Sequence, residues 1–304
     1  MSSVEADTRW TLVTAVAPIT WGTTYYVTKE FLPADQPIYG AAIRALPAGL
    51  LLLAVCRQRP HGSWWWKSLV LGTLNMGAFF TLVYLAAQLL PSSVAATIMA
   101  TAPVTLMLMA WAMLRDRPGV RPLTGAVLGI AGVAMLVLTG TGPVDPLGVL
   151  ASIAAMAMSS LGYVLAKRWS NEVDVLASTS WQLIVGGLTL LPVAVLVEGG
   201  PPTLDLPAVL AFGYVSVLGT AVAFVAWFSG LRHLPAGTVG LIGLLNPIAG
   251  VLLGTVLASE VLTARQLVGL VLVFGGILLG QHRSNARVDR PVRDAGVLLQ
   301  RPTR

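Results

Sequence analysis

The sequence predicts an all-α integral membrane protein with ten transmembrane helices, arranged as two inverted five-helix repeats around a central cavity. Three observations carry this reading. Of 304 residues 56% are apolar and only 11% charged, with a mean hydropathy of +0.79, a composition that cannot clothe a water-soluble surface. A span takes roughly 20 largely apolar residues, and ten such runs, punctuated by charge, Pro and Gly, succeed one another along the chain. The cations sort to alternate ends of those runs, and the chain repeats itself once.

In order, the short polar start, residues 1–9, leads into a full-length run that carries Pro18 and lacks a small-residue cleavage site, so no cleavable targeting peptide is predicted. Helices are predicted over 10–29, 37–56, 68–89, 93–114, 122–139, 147–167, 175–197, 207–231, 235–258 and 264–281. Residues 282–304 form a polar, Arg-rich tail expected to be disordered or to lie on the lipid surface. With the amino terminus inside, inner segments hold Arg9, Arg57, Arg59, Lys67, Arg115, Arg117, Arg121, Lys167, Arg168, Arg232 and six tail arginines, 16 of the 19 cations. Outer loops hold Lys29 and Arg265, and Arg44 falls within the second run. This separation obeys the positive-inside rule with both termini cytoplasmic. The net charge of +6 is therefore read as topology, and no nucleic-acid partner is expected.

The repeat is visible at an offset of 144 residues: Leu90-Pro91 falls on Leu234-Pro235, Pro103 on Pro247, Asp116 on Glu260, Arg121 on Arg265, Leu123 on Leu267, Gly125 on Gly269 and Gly132 on Gly276. An offset of 138 relates Tyr25 to Tyr163 and Lys29 to Lys167. The first repeat is placed over 10–139 and the second over 147–281. Five spans is an odd number, so the second half enters from the opposite side. Such inverted halves can exchange conformations and open one central site alternately to either side.

Those features, with the Trp21-Gly22 pair of the first span and the two acidic-loop-then-glycine endings, resemble the EamA family of the drug/metabolite transporter superfamily across about residues 10–281. Within it the chain resembles bacterial exporters of amino acids and metabolites, including aromatic-amino-acid exporters. The resemblance implies a cavity walled by spans 1, 3, 4, 6, 8 and 9, spans 5 and 10 at the side, a bacterial inner membrane and outward transport.

Chemistry in the membrane interior is restricted. All 13 acidic residues lie outside the predicted span interiors, and His61, His233 and His282 lie at cytoplasmic edges, so no mid-membrane proton relay is expected. The single cysteine, Cys56, excludes an internal disulfide and a multi-cysteine metal site. No catalytic residues, metal or cofactor are predicted, and the chain is read as no enzyme. Small multidrug antiporters of the same superfamily use an intramembrane glutamate; its absence disfavours cationic cargo and favours a zwitterion held by dipoles, hydroxyls and aromatic faces.

The candidate substrate-binding residues lie near mid-depth on the cavity helices: Thr20, Trp21 and Thr24; Asn75, Met76, Phe79 and Phe80; Thr101; Ser159, Ser160 and Tyr163; Thr220 and Phe224; and Asn246. Trp21 sits deeper than a lipid-anchoring tryptophan, with core packing as its plain alternative. Asn246 either holds cargo or satisfies a neighbouring helix. Pro18, Pro103 and Pro247 are candidate hinges, and their missing N–H groups either free carbonyls for the cavity or make packing kinks. Arg44 is a candidate for attracting a carboxylate, unless it snorkels outward or pairs with Glu30 or Asp35. Trp64, Trp65 and Trp66, beside Arg57, Arg59 and Lys67, read as an interfacial anchor, and Trp111 and Trp227, toward helix ends, likewise.

The function expected is an alternating-access exporter of small metabolites, amino acids with aromatic or large apolar side chains foremost. A drug or sugar-derivative carrier is the alternative within transport, and a channel the alternative from another class. The expected partners are the small-molecule substrate and the lipid bilayer. The glycine pairs Gly125/Gly129, Gly250/Gly254 and Gly276/Gly280 read as internal helix packing in a monomer, with a homodimer through spans 5 and 10 as the minority reading.

Overall fold

The computed structural model describes residues 3–33, 35–90, 98–137, 145–249, 252 and 263–281, and every regular element among them is helical. Ten helices stand in the predicted order. They are α1 (Ser3–Phe31), α2 (Pro37–Cys56), α3 (64–89), α4 (Ala102–Leu114), α5 (Val120–Val137), α6 (Pro146–Arg168), α7 (Val175–Glu198), α8 (Leu206–His233), α9 (Ala236–Ala249) and α10 (Ala264–Gln281). The chain is an integral membrane protein. The segments Pro37–Cys56, Trp64–Val83, Pro146–Arg168, Val175–Glu198 and Leu206–His233 are each long and apolar enough to cross a bilayer. Pro91, residues 93–97, Gly250, Gly254, Glu260 and the tail 282–304 lie outside the described residues.

Local chemistry explains the helix ends. Asp145, Asp174 and Asp205 are N-caps of α6, α7 and α8, their carboxylates accepting from Leu147 N, Leu176 N and Ala208 N at 2.7, 2.8 and 2.9 Å. Acidic residues are thus spent on free amide groups at helix starts. α2 begins with Pro37 and is capped from another helix, because Ile38 N and Tyr39 N donate to the two Glu198 carboxylate oxygens at 2.7 and 2.8 Å. α2 and α4 end on Arg57 and Arg115, both left-handed.

Two helices are not uniform. α3 contains a π turn over Thr73–Gly77 and α8 another over Val217–Val222, positions that match at the 144-residue offset. Such wide turns interrupt the α ladder and commonly mark functional sites. A tight turn leads into α4 and another interrupts α9, one residue out of register at the 144-residue offset: Thr101 N donates to Ile98 O at 3.0 Å, and Leu244 N to Leu241 O at 3.1 Å. Pro103 and Pro247 come within three residues of these turns.

Lipid supplies no hydrophobic drive between helices, so packing rests on close backbone approach and interhelical hydrogen bonds. α5 lies along α10 with Gly125 against Gly276 and Gly132 against Gly269. α2 lies along α7, with Gly49 against Leu183 and Ile184 and Gly187 against Leu46. Between these flanking pairs, α1 packs on α8, α3 on α6, α4 on α6 and α9, and α9 on α1.

Candidate functional site

The centre of the molecule is aromatic. Trp21 of α1 meets Phe224 and Trp227 of α8 at ring-centroid distances of 5.1 and 5.3 Å. Tyr163 of α6 meets Trp227 and Phe228 at 5.5 and 6.1 Å, and Phe224 lies 5.9 Å from Phe228. The tilted and edge-on arrangements among them are favoured by the ring quadrupoles. The five rings converge because positions 224, 227 and 228 share one face of α8, and Trp21 and Tyr163 face it from α1 and α6.

Beside this cluster stands a polar knot built on the π turn of α8. The Trp21 indole N–H donates to Gly219 O at 3.1 Å. Arg44 of α2 donates from a terminal guanidinium nitrogen to the same carbonyl at 3.3 Å and from Nε to Thr220 Oγ1 at 3.1 Å. The Thr220 hydroxyl in turn donates to Val215 O at 2.8 Å. The Arg44 guanidinium carbon lies 5.3 Å from the Phe80 ring centroid. Gly219, lacking a side chain, leaves its carbonyl open to both donors. The charge thus lies against a backbone dipole, a hydroxyl and a ring face, the kind of partners a cation within a span requires.

The other candidates fall into separate groups. Asn75, in the π turn of α3, is fully buried and donates from Nδ2 to Gln182 Oε1 of α7 at 2.8 Å; neighbouring Met76 packs against Gly186. The Phe79 and Phe80 ring centroids are 5.5 Å apart. The Thr101 hydroxyl lies 2.9 Å from Met156 Sδ, joining α4 to α6. Ser159 and Ser160 are buried in α6, the former bonded to Met156 O at 3.1 Å. The Thr20 hydroxyl returns to Val16 O of its own helix at 2.6 Å, and Thr24 to Thr20 O at 2.9 Å. Asn246 Oδ1 is buried without a hydrogen-bond partner. Pro18 lies inside α1.

Two tryptophan assignments need correction. The sequence places Trp227 at an interface, yet it is 4% exposed and sits at the middle of the aromatic cluster, with its benzo edge toward Gly243 of α9 and its N–H unpartnered. Trp227 shares the inward face of α8 with Phe224 and Phe228, and the 224/227/228 spacing was the signal that could have found it. Trp64 is 3% exposed and packs on Trp181 at 5.6 Å, whereas Trp65 and Trp66 are 65% and 51% exposed. Only Trp65 and Trp66 are left at the surface, because Trp64, at a different angle on the helix, turns inward. Trp111 is 48% exposed.

Sequence reasoning also passes over Gln182, Phe228 and Gly219. Lys167, legible in the sequence only as a charge, donates to Leu231 O at 2.7 Å and to Leu234 O, tying the end of α6 to the α8–α9 corner.

Known proteins share this architecture. Residues 8–138 and 146–280 each match the EamA-like transporter family. Protein PecM of Dickeya dadantii (strain 3937) is 38% identical over 271 residues, covering 88% of this chain and 91% of PecM. The uncharacterized inner membrane transporter YedA of Escherichia coli (strain K12) is 29% identical over 275 residues, with coverage of 86% and 87%. The uncharacterized transporter YvbV of Bacillus subtilis (strain 168) is 28% identical over 286 residues, with coverage of 92% and 94%. A solved crystal structure superposes with a TM-score of 0.79 at 19% identity, covering 90% of this chain and 96% of that one, a likeness of fold alone.

Proposed function

The chain belongs to the EamA-like transporter family and is a membrane transporter of the drug/metabolite transporter superfamily; from that premise we propose that it exports amino acids with aromatic or large apolar side chains by alternating access, in a bacterial inner membrane with both termini cytoplasmic. The observation that carries this reading is the five-ring cluster of Trp21, Tyr163, Phe224, Trp227 and Phe228 beside the Arg44 guanidinium. A ring-bearing zwitterion has a side chain suited to the cluster and a carboxylate suited to Arg44 and the Trp227 N–H. Asn246, with a free carbonyl oxygen, suits the amino group.

Alternating access is supported by contacts that exchange under the two sequence offsets. Gly49 against Ile184 has its mate in Gly187 against Leu46, and Thr24 against Gly219 has its mate in Gly162 against Asn75. Contacts of that kind are what an inverted pair of halves, 10–139 and 147–281, produces. The turns before Pro103 and Pro247 are the hinges of this scheme. Because the 13 acidic residues lie outside the predicted span interiors, movement runs down the cargo gradient without obligatory proton coupling.

Purified protein in liposomes, offered amino acids one at a time, tests the proposal. Uptake should favour Phe- and Trp-like cargo, and Trp21→Ala should weaken it about two- to ten-fold through lost ring contact alone, while sparing Ala- or Thr-like cargo. Equal loss for all cargo, or no amino-acid uptake by the unaltered protein, would refute the substrate class. Accumulation driven by an imposed pH gradient alone would refute the coupling.

A further inference from the structure

Resting on the carrier reading above, we infer that one mouth of the transport path opens between α3, α6, α7 and α8, lined by the polar face Trp64, Ser68 and Asn75 of α3, and bolted shut in this structure by the Lys67–Glu172 ion pair. The cargo groups it suits are those that both donate and accept hydrogen bonds. Among the described residues five buried side-chain nitrogen or oxygen atoms lack a partner, and three belong to α3: Trp64 Nε1, Ser68 Oγ and Asn75 Oδ1. Together with Leu71 these positions recur every three or four residues, so they share one face of the helix. A donor, a hydroxyl and an acceptor in a row are costly to leave dry. They are explained if this face is wetted, or met by cargo, in another conformation.

Trp64 and Leu71 of that face border a small cavity. A space of about 10 Å³, room for about one water, is lined by these two, Ala166 of α6, Ser170 of the α6–α7 turn, Val175, Ser178 and Gln182 of α7 and Phe228 of α8. Phe228 belongs to the central aromatic cluster, so one ring separates the cavity from the proposed substrate position. Between Trp64 and Leu71 on α3, Lys67 pairs with Glu172, which is partly exposed, and lies 5.5 and 5.2 Å from the ring centroids of Trp64 and Trp169. The cavity thus touches Phe228 of the aromatic cluster on one side and, on another, Trp64 and Leu71, which bracket Lys67 on α3. The cavity lining carries no formal charge, so it suits groups that need hydrogen bonds rather than a counter-ion.

Cysteine accessibility in the full chain tests this. In a Cys56→Ser background, Ser68→Cys and Ser178→Cys are labelled with a membrane-impermeant maleimide applied to either side of sealed vesicles. With the ion pair intact labelling should be slow. Adding Glu172→Gln, or separately Lys67→Gln, should speed it at least five-fold from one side only, and Lys67→Arg should restore protection. Unchanged rates in whichever neutralised variant elutes as folded protein would overturn the inference, as would fast labelling before the pair is broken. Labelling from the extracytoplasmic side would refute the orientation proposed above and leave the mouth standing. Opened labelling in a protein that takes up no amino acid would refute only the cargo.

Discussion

The π turns of α3 and α8 occupy matched positions, but they are met by different partners. At α3 the wide turn presents Asn75 to Gln182 of α7; at α8 it presents Gly219 to Arg44 of α2. Arg44 and Gln182 are themselves related by the 138-residue offset, and Asn75 and Gly219 by the offset of 144. The neutral side is closely packed at Gly72. A Cβ at Gly72 would lie 2.8 Å from Gln182 O and from Val185 Cβ, so the α3–α7 contact is backbone-tight. The α2–α8 contact is looser, although Arg44 itself does not line the opening. A cavity of about 310 Å³ opens between α2 and α8, lined by Ile43, Pro47, Phe212, Gly213 and Ser216 among others. Pro47 withdraws the N–H that Ile43 O would have received, and Ser216 Oγ donates to that carbonyl at 3.3 Å. One local device thus serves two ends. At α3 a single amide contact ties two neutral side chains in a tightly packed seam and leaves Asn75 Oδ1 unpartnered, whereas at α8 a guanidinium with five donors draws on a bare carbonyl, a hydroxyl and a ring face.

The largest effect that tests this contrast is Gly72→Leu. It should destabilise the protein by about 1–3 kcal/mol or more through overpacking, read as a lowered unfolding temperature and loss of the monodisperse peak in detergent. A tolerated leucine would mean that the α3–α7 contact at Gly72 is not closely packed. Next, Gln182→Leu should cost about 1–3 kcal/mol by stranding the Asn75 amide, and adding Asn75→Leu should recover part of that loss. The matched Arg44→Leu should cost less than Gln182→Leu, because Gly219 O keeps Trp21 and the Thr220 hydroxyl keeps Val215 O, while uptake of carboxylate-bearing cargo falls. Equal costs at 44 and 182 would remove the distinction between structural and functional ends. Trp21→Phe should lower stability by about 0.5–1.5 kcal/mol, the worth of one hydrogen bond, with ring contacts preserved. Smallest of all is Gly213→Leu. A Cβ there meets nothing within 4 Å, so the shift should stay within about 0.5 kcal/mol. The aligned position 69 already carries leucine, and a large loss would show that the α2–α8 opening is needed for folding.

Much of the architecture was legible in the chain. The expected helix starts at 37, 147, 175 and 207 fall within one residue of those observed at Pro37, Pro146, Val175 and Leu206, where Pro37 and the caps Asp145, Asp174 and Asp205 fix the start within one turn of backbone. The offsets that align Gly125 with Gly269 and Gly132 with Gly276 foreshadowed the α5–α10 seam, since close helix approach leaves glycine as its trace. Trp21, Tyr163 and Phe224 stood out as mid-depth aromatic residues, and all three join the central cluster.

The sequence by itself determined the membrane class, the order of ten helices and the residue types available at mid-depth, because hydropathy and capping are properties of contiguous segments. The tertiary structure alone decided that Trp227 lies at the centre while Trp111 faces outward, that Trp64 leaves its two neighbours at the surface, and that Arg44 reaches the carbonyl of Gly219. Each of these depends on the angular position of a side chain on its helix and on the group that a helix far away in sequence presents there. The π turns sharpen the point, since one extra residue in a turn rotates every later side chain of that helix by about 100°. Two positions with the same hydropathy can therefore face lipid in one helix and the core in another.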